Sequence, residues 1–373
     1  MNLSGFAKKQ SLLVISAILA LVSLFFVPFE TVLEYDYTRI LRTICMLLLF
    51  LLVVAGLKEC KALDVLAERC VSRVGTARAL CLLFVALPFF SAMLFSNDVS
   101  LLTFVPMAIA ILDRAGLRRL ILRVIILQTI AANIGSTLTP FGNPHNLYIY
   151  NLMDHYGFSI VDYELALIPI VAVGAFVVLA LTMLIKNAPL EAPMGKKDKV
   201  ENPRNIYVLI GLFALAVISV IGVIPLYIAL IVIVAAIALL MPSIFKKVDY
   251  GILLVFLFLF IFANGVTEMS WIHQGLSAMM AWDPMLTTVF VSQFTSNVSS
   301  CILLQPFTSD WAAVLVGADI GGFGTPIASM ACIITLKFYL LEEYSSVKDY
   351  MKVFLLFNLI MLAVLIPTYY LFG

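Results

Sequence analysis

Ser96-Asn97-Asp98-Val99-Ser100, followed by Pro106, decides how this chain is read, because the sequence contains the stretch twice. Ser296-Asn297-Val298-Ser299-Ser300 stands 200 residues further on, with Pro306 at the same spacing. Each copy interrupts an otherwise apolar segment, and each is followed by a second shared string. Asn133-Ile134-Gly135 and Thr139-Pro140 follow the first; Asp319-Ile320-Gly321 and Thr325-Pro326 follow the second, at an offset of 186. Two polar clusters per half, repeated in both halves of an apolar chain, are the signature of a transporter built from two structural repeats.

Composition sets the class. The chain has 373 residues, 63% hydrophobic and 12% charged, against about 25% charged in soluble domains. Apolar runs of about 20 residues recur from end to end, which predicts an all-α polytopic membrane protein. A net charge of +1 points to no partner, and no basic, aromatic-interleaved stretch suggests nucleic acid. The six cysteines are scattered, without metal-ligand spacing, and read as buried small hydrophobes. No cofactor is expected.

Working outward from the repeated stretch, Ser11 to Phe29 is predicted to be a first span, retained rather than cleaved, leaving the cytoplasm after Lys8 and Lys9. An acidic loop (Glu30, Glu34, Asp36) leads to a span over Ile40–Leu57. Lys58 to Arg78 reads as an interfacial helix with Leu63, Leu66, Ala67, Cys70, Val71 and Val74 on one face. Residues 79–112 carry basic clusters at both ends, so a hairpin that enters and leaves by the cytoplasm keeps both clusters inside. Residues 120–150 form one span interrupted by Gly135, Pro140, Gly142 and Pro144, hence unwound at its middle. Leu165 to Ile185 returns inward.

A polar linker, 187–204, divides the N-terminal half (1–186) from the C-terminal half (205–373). Two spans joined near Gly222 and Pro225 come next, then Gly251–Ala263, and an outer interfacial helix over Gly265–Asp283. A second hairpin over 284–308, a second interrupted span over 311–340 and a last span over Phe354–Leu371 complete the chain. This topology leaves only Arg39 and Arg42 of the basic side chains outside, with a cytoplasmic N-terminus. It also makes the halves inverted repeats, whose tips and unwound middles converge near the bilayer midplane.

Such breaks expose orphan amides and carbonyls. Carbonyls and Asn side-chain oxygens suit a small hard cation such as Na+, while amides at helix N-termini suit an oxyanion. The bland alternative is that Ser, Asn and Gly only pack helices together. The two copies differ where Asp98 corresponds to Val298, Asn133 to Asp319 and Asn143 to Ser329. Asp98 and Asp319 are therefore the carboxylates expected at membrane depth, as cation ligands, proton carriers or helix caps. His145 lies near enough to be considered as a proton relay. No Lys or Arg is expected inside the cavity.

These residues resemble the ion transporter superfamily of arsenite permeases, sodium/proton antiporters of the same fold and citrate-transporter-like divalent anion:sodium symporters. The resemblance spans essentially the whole chain and is most specific at the paired Ser-Asn motifs, at Asn133–Asn146 and at Ser-Gln-Phe-Thr-Ser-Asn-Val, 292–298. It is nearest to small uncharacterised bacterial anion permeases. It implies one cation site at Ser96, Asn97 and the Gly142 backbone, and a second at Asn297 with Ser292 and the Thr295 and Ala328 backbone. Ser96, Asn97, Asp98, Asn143, Ser296, Asn297 and Ser329 would face the substrate.

The symporters carry Thr where this chain has Asp98 and Val298; a carboxylate repels a dicarboxylate and a valine offers it no hydrogen bond. The Asn-Asp pair is similar instead to the arsenite-permease and antiporter branches. The expectation is a secondary active transporter of a small anion in the inner membrane, coupled to Na+ or H+, dimeric and of elevator type. The alternatives are a metalloid efflux permease or a sodium/proton antiporter. A passive channel is a further alternative. Gly317-Ala318-Asp319 faintly resembles part of an intramembrane aspartyl protease, but its first catalytic motif is missing, and no His-Glu-x-x-His, nucleophile elbow or phosphate loop occurs. The chain does not read as an enzyme.

Overall fold

The computed structural model describes residues 11–33, 35–155, 157–190 and 203–372. Lys8, Lys9, Glu34 and the larger part of the linker lie outside the described residues. The molecule is an all-α polytopic membrane protein, and its described residues contain no strand beyond an isolated bridge between Thr76 and Pro189.

The first half comprises α1 (Ser11–Leu24), α2 (Phe29–Leu33), α3 (Tyr37–Glu59), α4 (Ala62–Val71), α5 (Ala77–Phe95), α6 (Asn97–Arg114), α7 (Arg118–Thr137), α8 (Pro144–His155) and α9 (Ile160–Met183). The second half comprises α10 (Pro203–Val220), α11 (Leu226–Leu240), α12 (Tyr250–Glu268), α13 (Ser270–Trp282), α14 (Pro284–Thr295), α15 (Asn297–Leu304), α16 (Trp311–Gly321), α17 (Met330–Leu340) and α18 (Val347–Phe372). Among the described residues, α3, α5, α7, α9, α12 and α18 are long and apolar enough to cross a membrane.

Local chemistry sets the boundaries. Asp36, Thr76, Asp249, Asp283 and Asp310 each accept a backbone N–H as N-caps, and Ser159 with Asp162 forms a capping box at α9. Pro284 stands at the first position of α14, where its missing N–H is harmless. The apolar faces of α5 and α6 close against α7, and those of α14 and α15 against α16, so the two halves repeat one packing unit. The central helix α7 is buried over 83% of its apolar window, against 33% for α5, α9 and α18. That shielding lets α7 carry Gln128, Thr129 and Asn133 where lipid contact would leave them unsatisfied.

Several expected boundaries move. The helix after α3 buries Leu63, Val65 and Val71 and exposes Leu66, so its inner face is rotated from the one the pattern suggested. The chain there first passes through Lys61, at φ 53°, which resets the phase of the helix. Apolar α12 runs on to Glu268, so the Trp-bearing helix starts at Ser270 rather than Gly265. The last helix begins at Val347, seven positions before the apolar run. Pro106 lies inside α6, whereas Pro306 sits in the 3-10 turn Gln305–Phe307 that ends α15, making the second hairpin arm much shorter than the first.

Candidate functional site

Both repeated tips adopt one unusual backbone. Ser96 has φ 75° and ψ 152°, and Ser296 has φ 89° and ψ 153°. That region is favourable only for glycine and costs about 1–3 kcal/mol for another residue, so its presence at both tips marks an imposed geometry. The sequence gives no sign of it, because neither residue is glycine.

The surroundings repeat as well. The Asn97 amide donates to the Gly142 carbonyl at 3.3 Å, and the Asn297 amide to the Ala328 carbonyl at 2.8 Å. Each Asn side chain also accepts the next amide of the helix it begins: Asn97 Oδ1 accepts the Asp98 amide at 2.8 Å, and Asn297 Oδ1 the Val298 amide at 3.0 Å. Ser91 bonds Ser100 across the first hairpin at 2.8 Å, and Ser292 bonds Ser300 across the second at 2.6 Å. A Cβ on Gly135 would stand 2.0 Å from the Phe89 carbonyl oxygen, and one on Gly321 would stand 3.3 Å from Val289 Cα, the same crossing in the second copy. The shared sequence strings thus encode one packed unit used twice.

The helix interruptions fall at 138–143 and 322–329, as the breaker residues predict. Freed carbonyls there need donors, and each copy supplies them differently. In the first, Asn146 Nδ2 donates to the Ser136 and Thr137 carbonyls at 3.2 and 3.4 Å, and the Tyr163 hydroxyl to Thr137 at 3.2 Å. In the second, Gln293 Nε2 donates to the Gly321 and Phe323 carbonyls at 3.0 and 2.9 Å, while its Oε1 accepts the Thr325 amide at 2.9 Å. Asn146 and Gln293 lie inside the quoted strings without an assigned role, and Tyr163 lies outside them. Gln293 could have been singled out, as the polar residue three positions before a broken tip.

Ser96, Asn97, Asp98, Asn143, Ser296, Asn297 and Ser329 all line one cavity of about 350 Å³. Its remaining wall is largely apolar, with Phe50, Leu51, Phe141 and Phe256 among its members. Lys58, Lys247 and Asp249 also line it, contrary to the expectation that no Lys or Arg reaches the cavity. These residues end α3 and precede α12, and burial of their neighbours draws both ends onto the cavity rim. Lys247 pairs with Glu59 at 3.0 Å, whereas Lys58 is exposed and makes no ion pair among the described residues.

The named cation-site residues separate into two groups. Gly142 and Ala328 are buried and do not themselves line the cavity, but present carbonyls to the tip amides, as above. Ser292 is fully buried, donating to the Thr288 carbonyl at 2.7 Å, and Thr295 is exposed and donates to Val291 at 3.0 Å; neither lines the cavity. Among the described residues no group of His, Cys, Asp or Glu has metal-holding geometry.

Besides the Lys247–Glu59 pair and the bond from the Tyr148 hydroxyl to Gln305 Oε1 at 3.0 Å, buried polar links join the halves at their centre. Asn133 Oδ1 accepts Asn97 Nδ2 at 2.9 Å and the Ser329 hydroxyl at 3.4 Å, binding the first tip to the start of α17. Thr129 and Thr335 hydroxyls meet at 2.6 Å. His145 Nε2 lies 3.2 Å from Asp319 Oδ1, with both side chains buried. Asp98 is different: its Oδ1 is buried with no hydrogen-bond partner, and it faces the cavity beside the N-terminus of α6. Its amide neighbours and the helix dipole offset part of the desolvation of that carboxylate.

Comparison with known proteins identifies the family. The sequence profile described as citrate transporter matches residues 6–336. An uncharacterised transporter of Methanocaldococcus jannaschii is 28% identical over 297 residues, covering 79% of this chain and 80% of its own length. The inner membrane protein YbiR of Escherichia coli is 29% identical over 324 residues, covering 84% of this chain and 83% of its own. The chain therefore belongs to the citrate transporter family and is a multi-pass membrane transporter of the anion-permease type.

Proposed function

We propose that this protein is a secondary active transporter that carries a small anion across the inner membrane, driven by Na+ or H+, through an elevator-type alternation of two inverted repeats. The observation that carries this reading is that both strained tips and both unwound segments border a single cavity. A cavity of about 350 Å³ lies within the 300–1,000 Å³ of small-molecule sites. The Asn297 side-chain amide, which donates to nothing else among the described residues, and the positive ends of α6 and α15 would favour the anion's oxygens. The Gly142 and Ala328 carbonyls and the Asn97 and Asn297 oxygens would supply a hard-cation environment. The name of the Escherichia coli relative supports an inner-membrane location. A cytoplasmic N-terminus and a homodimer complete the reading.

Asp98 favours a second reading, a sodium/proton antiporter or metalloid efflux permease of the same fold, because an unpartnered carboxylate on the cavity wall suits a cation better than a dicarboxylate. Uptake of labelled citrate, succinate, phosphate and sulfate into proteoliposomes, with and without a sodium gradient, tests the proposal. Saturable accumulation of one anion above its equilibrium level is expected. Only passive equilibration would sink the reading. Sodium-driven alkalinisation with no anion present would replace it with the antiporter.

A further inference from the structure

The pair formed by His145 and Asp319 stands apart from the cavity. Neither residue lines it, although Asn143, Pro144 and Leu147, on either side of His145, do. His145 begins α8 and Asp319 lies in the last turn of α16, so the pair joins the two interrupted helices, one from each repeat. His145 is 0% exposed and Asp319 4%. Each occupies the helix end whose dipole opposes its own charge, so neither charge is favoured by its own helix. His145 Nδ1 and Asp319 Oδ2 are buried without a hydrogen-bond partner among the described residues. A pair built only to clamp helices would have those atoms satisfied.

We propose that the His145–Asp319 pair is the proton-carrying site of this transporter, separate from the anion cavity. The proposal rests on the transport reading above and names its coupling ion. With a neutral imidazole whose Nε2–H donates to Oδ1, the pair carries charge −1. One proton taken from water onto His145 Nδ1 or Asp319 Oδ2 brings it to zero, and no other bond changes. Each added buried charge raises the cost of crossing the apolar part of the protein. With the anion bound, the mobile part would cross only when the pair holds the extra proton, which it would surrender to water on the other side; emptied of anion, it would return with the pair deprotonated, carrying no more charge than the loaded form. The titratable side chains that sense Asp319 from neighbouring elements are Tyr163 of α9 and Cys301 of α15. The charged residues of α3, α7, α9 and α18 lie at the helix ends: Arg42, Arg123, Glu164 and Lys352 are the innermost in the first two turns, and Lys58 and Glu59 close α3. No basic residue there neutralises the pair permanently.

The test uses the full-length protein in liposomes containing trapped pyranine, with the anion from the panel above that the wild type accumulates. For one proton per anion, an imposed gradient of one pH unit should raise wild-type accumulation about tenfold, with matching internal acidification. Asp319→Asn, permanently neutral, should keep anion exchange between equal pools and show no response to the pH gradient. Asp319→Glu should retain the response, and His145→Gln, which strands a buried carboxylate, should lose both exchange and response. Anion uptake by the wild type without proton movement would overturn the proposal even if no variant folds. So would a full pH response in Asp319→Asn. Absence of any anion accumulation by the wild type would instead refute the transport reading itself.

Discussion

Asn97 and Asn297 are related by the repeat, yet the structure gives them different burdens, and substituting each by Ala separates folding from function. Asn97→Ala removes the 2.9 Å bond from Nδ2 to Asn133 Oδ1 and the 2.8 Å bond from the Asp98 amide. Asn133 Oδ1 then keeps only the 3.4 Å contact with Ser329, in a site with no water-exposed alternative for the buried Asn133 amide group. Each lost bond is worth about 1 kcal/mol and each buried orphan about 1–3, so Asn97→Ala should destabilise the protein by about 2–4 kcal/mol. Asn297→Ala removes one internal bond, the 3.0 Å bond from the Val298 amide, since Asn297 Nδ2 makes no hydrogen bond among the described residues. Its loss should be about 1 kcal/mol. Both variants should abolish anion accumulation, because both asparagines line the cavity. Melting of the purified proteins in detergent, alongside proteoliposome uptake, checks both parts. Equal shifts in Tm would refute the asymmetry argued here, and an Asn297→Ala protein that still accumulates anion would refute its role in binding.

Asp98→Asn should leave stability unchanged within about 1 kcal/mol, because the side chain makes no hydrogen bond to lose. Removing this negative charge from the cavity wall should lower KM for the anion while the response to a pH gradient persists, because His145 and Asp319 are untouched; loss of that response would move proton coupling to Asp98, and unchanged uptake would exclude a charge role there. Gly135→Ala would drive a Cβ to 2.0 Å from a helix carbonyl oxygen, whereas Gly321→Ala meets the Ser292 hydroxyl at 2.5 Å. The first should cost at least the 1–3 kcal/mol typical of overpacking and the second less, with detergent melting as the readout and the reverse order as the refuting result. Lys58→Gln should raise KM for uptake about twofold at low salt, since an attraction over about 8 Å in water is about 0.5 kcal/mol. The effect should vanish at high salt, and a salt-independent change would show that Lys58 acts through packing instead.

The duplicated strings and the helix breakers made most of the fold legible. Ser96 and Ser296 mark both tips, and Gly135, Pro140, Gly142 and Pro144 mark the first interruption, because a broken helix needs local residue types that survive translation into one dimension. The repeat also carried the pairing at the candidate site: residues 97 and 142, and 297 and 328, hydrogen-bond in the same way in both halves, at the two offsets read from the sequence. Less legible were positions set by the phase of one helix against another. The inner face of α4 was misread because the turn at Lys61 rotates it. The aligned copies set Asn133 opposite Asp319, whereas the fold brings Asp319 to His145 and Asn133 to Ser329.

Apolar periodicity and repeated polar strings are local properties, so the chain alone dictated that it is a two-part membrane bundle with broken, polar helices at its centre. Which side chains meet across that centre was decided only when the halves packed together. Residues 174 positions apart, as His145 and Asp319 are, become neighbours through helix crossings and side-chain volumes. Nothing in the spacing of a single chain records those crossings, and the same holds for the lysines that come to rest on the rim of the cavity.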